Sequence, residues 1–245
     1  MSLKKISLSL AFSAFCFGGV NAGQVLDDLS KALTKSMPGI NIDSIKDTPI
    51  PGIYEVVSGG DIAYVTGDGV YMIQGSLFNV PDRKNLSEKT LEAVRMSAMK
   101  ALDSSALLIY PAKGKALHTI TVFTDPSCPY CHKLHDEIDK LNELGVTVKY
   151  ALYARSGNGT LTGRQLQEVL CSKDPKKELD RFFKSSSQNS DGADCKKSEA
   201  LEKIARLAPK VGLEGTPHIV TDTGLSFSGY RPAEEMLRVL QRSAK

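Results

Sequence analysis

Two cysteines separated by two residues, Cys128-Pro129-Tyr130-Cys131, are the side chains of this sequence best placed to do chemistry. A thiolate, not a thiol, attacks a disulfide, and the first turn of a helix favours negative charge. Two intervening residues also let the second sulfur return to the first and close a ring. The pair follows an apolar, β-branched run, Leu117 to Thr124, and opens a segment of helical periodicity. A strand before and a helix after favour a redox dithiol, although the same spacing also serves zinc or a structural disulfide. With His132 added, the string reads Cys-x-x-Cys-His, which is also how c-type haem is attached. The strand–helix context argues against haem. A zinc site from Cys128, Cys131, His132 and His135 is weighed against two polar helical residues, and the second reading is preferred. Asp125 reads as an exposed loop carboxylate, and His118 and His218, at strand starts, carry no separable signal. The Lys/Arg/Glu mix from Lys173 to Lys203 reads as a solvated face.

These residues need a scaffold, and the chain offers a segmented one. Lys4 and Lys5 head an apolar stretch from Ile6 to Val20, and small residues follow to Ala22 and Gly23. That is the pattern of a secretory signal peptide, assigned to residues 1–22, and it is short for a membrane anchor. Its loss would remove Cys16 and leave Cys128, Cys131, Cys171 and Cys195, an even count that suits two disulfides in an exported protein. Losing Lys4 and Lys5 takes the formal charge from +3 to +1. Near-neutrality argues against a nucleic-acid partner, and nothing after the signal is apolar enough for stable membrane insertion.

Residues 23–85 form the first unit. A helix is expected from Val25 to Met37, with Val25, Leu29, Ala32 and Leu33 on one side. Strands follow at Ile53 to Val57, Ile62 to Thr66 and Val70 to Ser76, the last two joined by a turn at Gly67-Asp68-Gly69. So small a unit without a disulfide is marginal alone, and pairing with a second copy would bury its apolar face. Residues 86–106 form a connecting helix with Ser87 as the N-cap and a mostly polar, exposed surface. Residues 107–245 alternate strand and helix: a strand at Leu117 to Thr124, a helix at Tyr130 to Leu144 ended by Gly145, and a strand at Val146 to Leu152, a βαβ unit. A helical insertion spans Thr162 to Pro209, with a polar loop at Ser185 to Asp194. A hairpin, His218 to Asp222 and Leu225 to Ser228, precedes a closing helix, Pro232 to Gln241, with Pro232 near N1.

Thr121-Val122-Phe123-Thr124-Asp125, the Cys128 to His135 run, Ile73-Gln74-Gly75 and Gly215-Thr216-Pro217 resemble the DsbC/DsbG family of periplasmic disulfide isomerases. The resemblance covers essentially all of residues 23–245. It implies an α+β protein: a small N-terminal dimerisation domain, a helical linker and a C-terminal thioredoxin-fold domain with a helical insertion. It further implies a V-shaped homodimer in the periplasm, misoxidised exported proteins as substrates, a DsbD-like membrane reductant, chaperone activity and no metal or organic cofactor. Cys128 would be the more exposed, nucleophilic sulfur and Cys131 the resolving one. Pro129, Tyr130, Thr216 and Pro217 would contact substrate, with Thr216-Pro217 as a cis-proline loop opposite the dithiol. Cys171 and Cys195 would form a structural disulfide; a second redox pair is the alternative. One departure matters. DsbC typically carries Cys-Gly-Tyr-Cys, whereas Pro129 matches DsbG, so the redox poise is open. The expected activity is rearrangement of non-native disulfides. The alternatives are a DsbG-like chaperone and reductase of single oxidised cysteines, and a holdase whose dithiol is secondary.

Overall fold

The structure, a computed structural model, describes residues 22–185 and 188–243. The signal-peptide assignment and Cys16 lie outside the described residues, apart from Ala22. Helix α1 (Ala22–Ser36) leads into strands β1 (Ile42–Asp47), β2 (Ile53–Ser58), β3 (Asp61–Thr66) and β4 (Met72–Gln74). They form an antiparallel meander in sequence order. Leu29 and Leu33 of α1 lie one turn apart and bury against Val56 and Val65 of the sheet, so the helix covers one face. Strand β1 was not anticipated: Ile-Asp-Ser-Ile-Lys-Asp is too polar to announce itself, and a bulge between Ile42 and Ser44 interrupts its alternation. The expected strand from Val70 to Ser76 shrinks to Met72–Gln74. Two short strands, β5 (Phe78–Asn79) and β6 (Lys84–Asn85), follow as a hairpin.

Helix α2 (Leu86–Lys100) is capped by Asn85, not by Ser87. Asn85 is extended, and its Oδ1 accepts from the Glu88 N–H at 3.2 Å. Ser87 already lies inside the first turn. Its buried hydroxyl bonds the Tyr64 hydroxyl at 2.5 Å and accepts from the Leu77 N–H at 2.8 Å. Nor is α2 an exposed strut. Ala98, Met99 and Leu102 pack with Phe123, Ala151, Ile204, Val211 and Val220. Arg95 is buried, paired with Glu88 and donating to the Gly224 carbonyl at 3.2 Å. Gly224 (φ +90°) is required there, because a Cβ would meet the Glu92 carbonyl at 2.8 Å.

After a 3-10 turn (Ser104–Ala106), the C-terminal sheet takes strands β7 (Leu108–Tyr110), β8 (His118–Thr124), β9 (Val146–Leu152), β10 (His218–Thr221) and β11 (Ser226–Ser228). Their order is β11-β10-β8-β9-β7, with β8 and β9 parallel and the other pairs antiparallel. Side chains alternate between two buried faces. Ile120, Val122, Val148 and Tyr150 point to one core, while Phe123 and Ala151 point to the other.

The helix expected over residues 130–144 is two helices, α3 (Pro129–Asp136) and α4 (Ile138–Glu143). At the break, the Glu137 N–H bonds Leu134 O, three residues back, at 3.2 Å. The Glu137 carboxylate is held by the Tyr230 hydroxyl (3.0 Å) and the Ala233 N–H (3.1 Å). Gly145 (φ +79°) ends the unit, and a Cβ there would strike Leu117 at 2.9 Å.

Helices α5 (Leu161–Cys171), α6 (Pro175–Lys184) and α7 (Ala200–Leu207) make up the insertion, followed by a 3-10 turn at Pro209–Val211. Residues 188–194 hold no regular element. The last helix, α8 (Ala233–Ser243), starts just after Pro232, whose carbonyl accepts from the Met236 N–H at 2.9 Å. Pro232 therefore stands at the cap, one position before N1. No helix among the described residues is long and apolar enough to cross a membrane.

Candidate active site

Strand β8 ends at Thr124, and the next four residues turn the chain into α3. The turn is made by Asp125. Its Oδ1 accepts from the Ser127 N–H (2.7 Å) and hydroxyl (2.6 Å), an Asx-type turn. Its Oδ2 accepts from the Arg155 N–H (2.9 Å) and Nε (3.1 Å). Asp125 is 0% exposed, so the expected exposed carboxylate is instead the anchor of the loop. Burial of this charge is tolerated because every contact is a hydrogen bond and one partner is a cation. The Cys128 N–H then bonds Asp125 O at 3.0 Å, which leaves Cys128 extended at the N-cap with Pro129 behind it at N1.

Cys128 and Cys131 are both free thiols. The Thr216–Pro217 peptide is cis, and the loop it shapes crosses over the dithiol. The Cys128 S–H donates to the Thr216 carbonyl at 3.1 Å. That contact corrects one expectation. Cys128 is only 2% exposed, little more than Cys131 at 0%, because the Thr216 loop lies on it. Tyr130 is exposed, with the Lys133 ammonium 5.3 Å from its ring centre, and Pro129 is exposed beside it.

The two sulfurs differ in electrostatics more than in exposure. Burial raises the Cys128 pKa, but the polar groups around it, the Thr216 hydroxyl, the Cys131 and Tyr130 backbone N–H groups and the Cys131 thiol, outweigh it, and the net shift is downward. Burial dominates at Cys131 and pushes its thiol up to about 12. One sulfur thus ionises more readily than an ordinary cysteine, and the other is held as a thiol. In the reduced protein, alkylation mapped by mass spectrometry should therefore rise at Cys128 with a midpoint below the ordinary cysteine range. Cys131 should stay unmodified until strongly alkaline pH.

The whole chain aligns with sequences that perform such exchange. Residues 20–88 match the disulfide bond isomerase protein N-terminal domain, and residues 105–244 match a thioredoxin-like domain. The thiol:disulfide interchange protein DsbC of Haemophilus influenzae is 32% identical over 247 residues, covering 99% of this chain and 100% of that one. DsbC of Dickeya dadantii is 33% identical over 216 residues, 87% of each chain. The chain belongs to the DsbC family.

It is accordingly a thiol:disulfide interchange protein with a thioredoxin-like domain. The catalytic domain of Proteus mirabilis ScsC aligns at a TM-score of 0.48 and 20% identity, over 63% of this chain and 99% of that one, and adds nothing to the assignment.

Within this DsbC-family site, Cys128, Pro129, Tyr130, Cys131, Thr216 and Pro217 converge, whereas Cys171 and Cys195 lie apart in the insertion, bonded to each other. Arg155 was not foreseen: it stands 30 positions from Asp125 and meets it only because β9 runs parallel to β8. The Asp-x-Ser spacing ahead of the helix was the available signal for Asp125.

His132 and His135 are polar residues of α3, as read, and both are bonded rather than free. His132 Nε2 contacts Pro126 O at 2.5 Å, and His135 is held between Asp180 and Tyr150. His218 is buried against the Ser228 hydroxyl and Val211 O, both at 2.9 Å. Among the described residues, no three metal-binding side chains form a group that could hold an ion.

Proposed function

We propose that this protein is a periplasmic disulfide isomerase and reductase that rearranges non-native disulfides of exported proteins. The observation that carries the reading is the split between the two sulfurs: Cys128 lowered at a helix start, Cys131 raised to about 12 beneath it. Ionisation removes the S–H that the Thr216 carbonyl accepts, and Cys128 as thiolate attacks a substrate disulfide, forms a mixed disulfide and releases the other substrate sulfur as thiolate. A freed substrate thiolate then attacks elsewhere in the substrate or displaces Cys128. When rearrangement stalls, Cys131 closes the ring and releases the substrate reduced. Persistent activity in an oxidising compartment requires a DsbD-like reductant to return the pair to thiols. Pro129, Tyr130, Thr216 and Pro217 form the surface on which a substrate strand lies, and Cys171–Cys195 has a structural role.

A DsbG-like reductase of single oxidised cysteines is the second reading, favoured by Pro129. Reactivation of scrambled ribonuclease against reduction of a sulfenylated protein separates the two. High activity on the first supports isomerisation, and activity confined to the second rejects it.

Residues 23–85 serve as the dimerisation domain in this reading, joined by residues 86–106 to a catalytic domain over 107–245. Strand β4 lies at the sheet edge, its outer backbone open to another strand. Val70, Tyr71 and Ile73 are 60–69% exposed beside it, and Phe78 and Val80 are exposed as well. An apolar edge of this kind is a template for a second copy. Ile73→Asp is expected to convert the dimer to monomer, read by sedimentation, with reduced Cys128 still alkylated normally. Apolar surface between the two arms would hold unfolded chains and supply chaperone activity.

A further inference from the structure

The loop that carries Thr216 and Pro217 leaves the 3-10 turn Pro209–Val211 and returns at His218, the first residue of β10. Its height is felt at the nucleophile, because the Thr216 carbonyl lies 3.1 Å from the Cys128 sulfur and leaves it 2% exposed. Backbone bonds tie each end to its own surroundings. At the departing end, the Gly212 N–H donates to Pro209 O at 2.9 Å and the Leu213 N–H to Ala208 O at 3.0 Å. At the returning end, the Gly229 N–H donates to Pro217 O at 2.8 Å. One side chain joins the two ends. His218 Nε2 reaches Val211 O at 2.9 Å, and Nδ1 reaches the Ser228 hydroxyl at 2.9 Å. No step of the exchange described above uses it.

The surroundings of the ring are otherwise apolar. His218 pairs across the sheet with Phe123 of β8 and Ser228 of β11. It is 2% exposed and lies 6.1 Å from the Phe123 ring, centre to centre. Phe123, Val211 and Val220 belong to one apolar cluster there. An aliphatic side chain would fill such a place without the cost of stripping water from two ring nitrogens. That cost is offset because each nitrogen has a partner. The Val211 carbonyl only accepts, so Nε2 carries the proton and Nδ1 is bare, and the Ser228 hydroxyl donates to it. Burial, with Arg95 on α2 adding to it, lowers the His218 pKa against the pull of Val211 O and of Glu214 in the loop, so the ring is neutral near neutral pH. A neutral ring has one donor and one acceptor, which is what these two partners require.

We propose that His218 is a positioning residue for disulfide exchange: its imidazole clamps the base of the loop and holds Thr216 and Pro217 where a substrate strand meets the Cys128 sulfur. The ring bridges the turn before the loop and the strand beyond it, so lifting the loop from Cys128 strains the bond to Val211 or to Ser228. The clamp has two consequences of opposite sign. A small reagent needs only the sulfur, and the loop is in its way. A peptide disulfide needs the loop as well, because the strand must lie along it while the thiolate attacks. Loosening the clamp therefore opens the sulfur to the first and misplaces the second. A side chain that merely filled the core would affect both alike.

This inference rests on Cys128 attacking and on Thr216 and Pro217 receiving the substrate, and one experiment separates the three. The reduced full-length protein is treated with iodoacetamide, read at Cys128 by mass mapping, or with an unstructured peptide whose cysteine is capped by thionitrobenzoate. With the peptide, the Cys128 thiolate attacks the peptide sulfur and the Cys128–peptide bond forms. Thionitrobenzoate leaves with the electron pair of the broken bond and is followed by stopped flow. Rates are taken on the alkaline plateau of each pH profile, where Cys128 is ionised in every variant. His218→Leu should quicken alkylation severalfold and slow attack on the peptide by roughly 10-fold. His218→Gln, whose amide can donate to Val211 O, should return both towards wild type. Should His218→Leu fail to fold, Ser228→Ala removes one arm of the clamp from an exposed position and should shift the two probes in the same opposed directions. Wild-type rates with both probes, or both slowed alike, overturn the clamp. Both quickened would show that the substrate does not lie on the loop, and the positioning role falls with that surface. Thionitrobenzoate release by Cys128→Ser at the wild-type rate would remove the nucleophile itself, whereas an inert Cys128→Ser beside a wild-type His218→Leu removes the clamp alone.

Discussion

Cys128→Ser should abolish native re-pairing of a scrambled substrate while leaving suppression of aggregation intact. Serine fills nearly the same volume at the helix start, and its hydroxyl can donate to the Thr216 carbonyl as the thiol does at 3.1 Å. The Asp125–Ser127–Arg155 lattice that shapes the loop does not involve the sulfur. An alkoxide is inaccessible near neutral pH, and an oxygen cannot enter disulfide exchange, so no mixed disulfide forms. Loss should be complete within the background of the assay. Aggregation suppression depends on exposed apolar surface and needs no sulfur chemistry. Reactivation by the variant at the wild-type rate would reject Cys128 as the nucleophile. Loss of both would tie any suppression of aggregation to the dithiol.

Replacing Cys171 and Cys195 together by alanine should destabilise the thioredoxin-like domain by roughly 3–4 kcal/mol in the chain-entropy account of cross-links. The bond spans a sequence separation of 24, from the end of α5 to the segment before α7. Within that loop, α6 is held by Leu179, Phe182 and Phe183, whose rings and methyls enter the main core. The Arg181 pairings with Glu168 and Glu178 are half exposed and add little. Urea unfolding followed by far-ultraviolet circular dichroism reads the loss as a lowered midpoint. Because α6 also carries Asp180 and Phe183 against His135, hydrogen-exchange protection should fall along α6 and at His135, while Cys128 alkylation changes little. An unchanged midpoint would show that packing alone holds the insertion.

Local signals in the chain were enough for the elements around the dithiol, though not for strand β1 or the short strands β5 to β7. The β-branched run before Cys128, the Leu134–Leu141 periodicity and the glycine at 145 predict a strand, a helical segment and a stop, and each is present. The hairpins at Gly67–Gly69 and Thr223–Gly224 are also where turn residues place them. These features depend on interactions within a few residues, which composition and spacing record directly. Boundaries and caps fared less well. Ser87 and Asn85 are equally good cap residues, and the choice fell to Asn85 because Tyr64, on a distant strand, takes the Ser87 hydroxyl.

The dithiol, its helix and the proline opposite it were legible in the sequence and in its family likeness. Their electrostatic setting was not. Asp125 looks like a surface carboxylate until Arg155 arrives from the far side of a parallel strand pair. Cys128 looks exposed until the loop at Thr216, 88 positions away, closes over it. His135 reads only as a polar helical residue until α6 brings Asp180 and Phe183 against it. Burial and charge pairing are sums over neighbours far apart in the chain. A sequence specifies which groups are present and their local conformation; only the register and packing of distant strands and helices decide which of those groups lose water together.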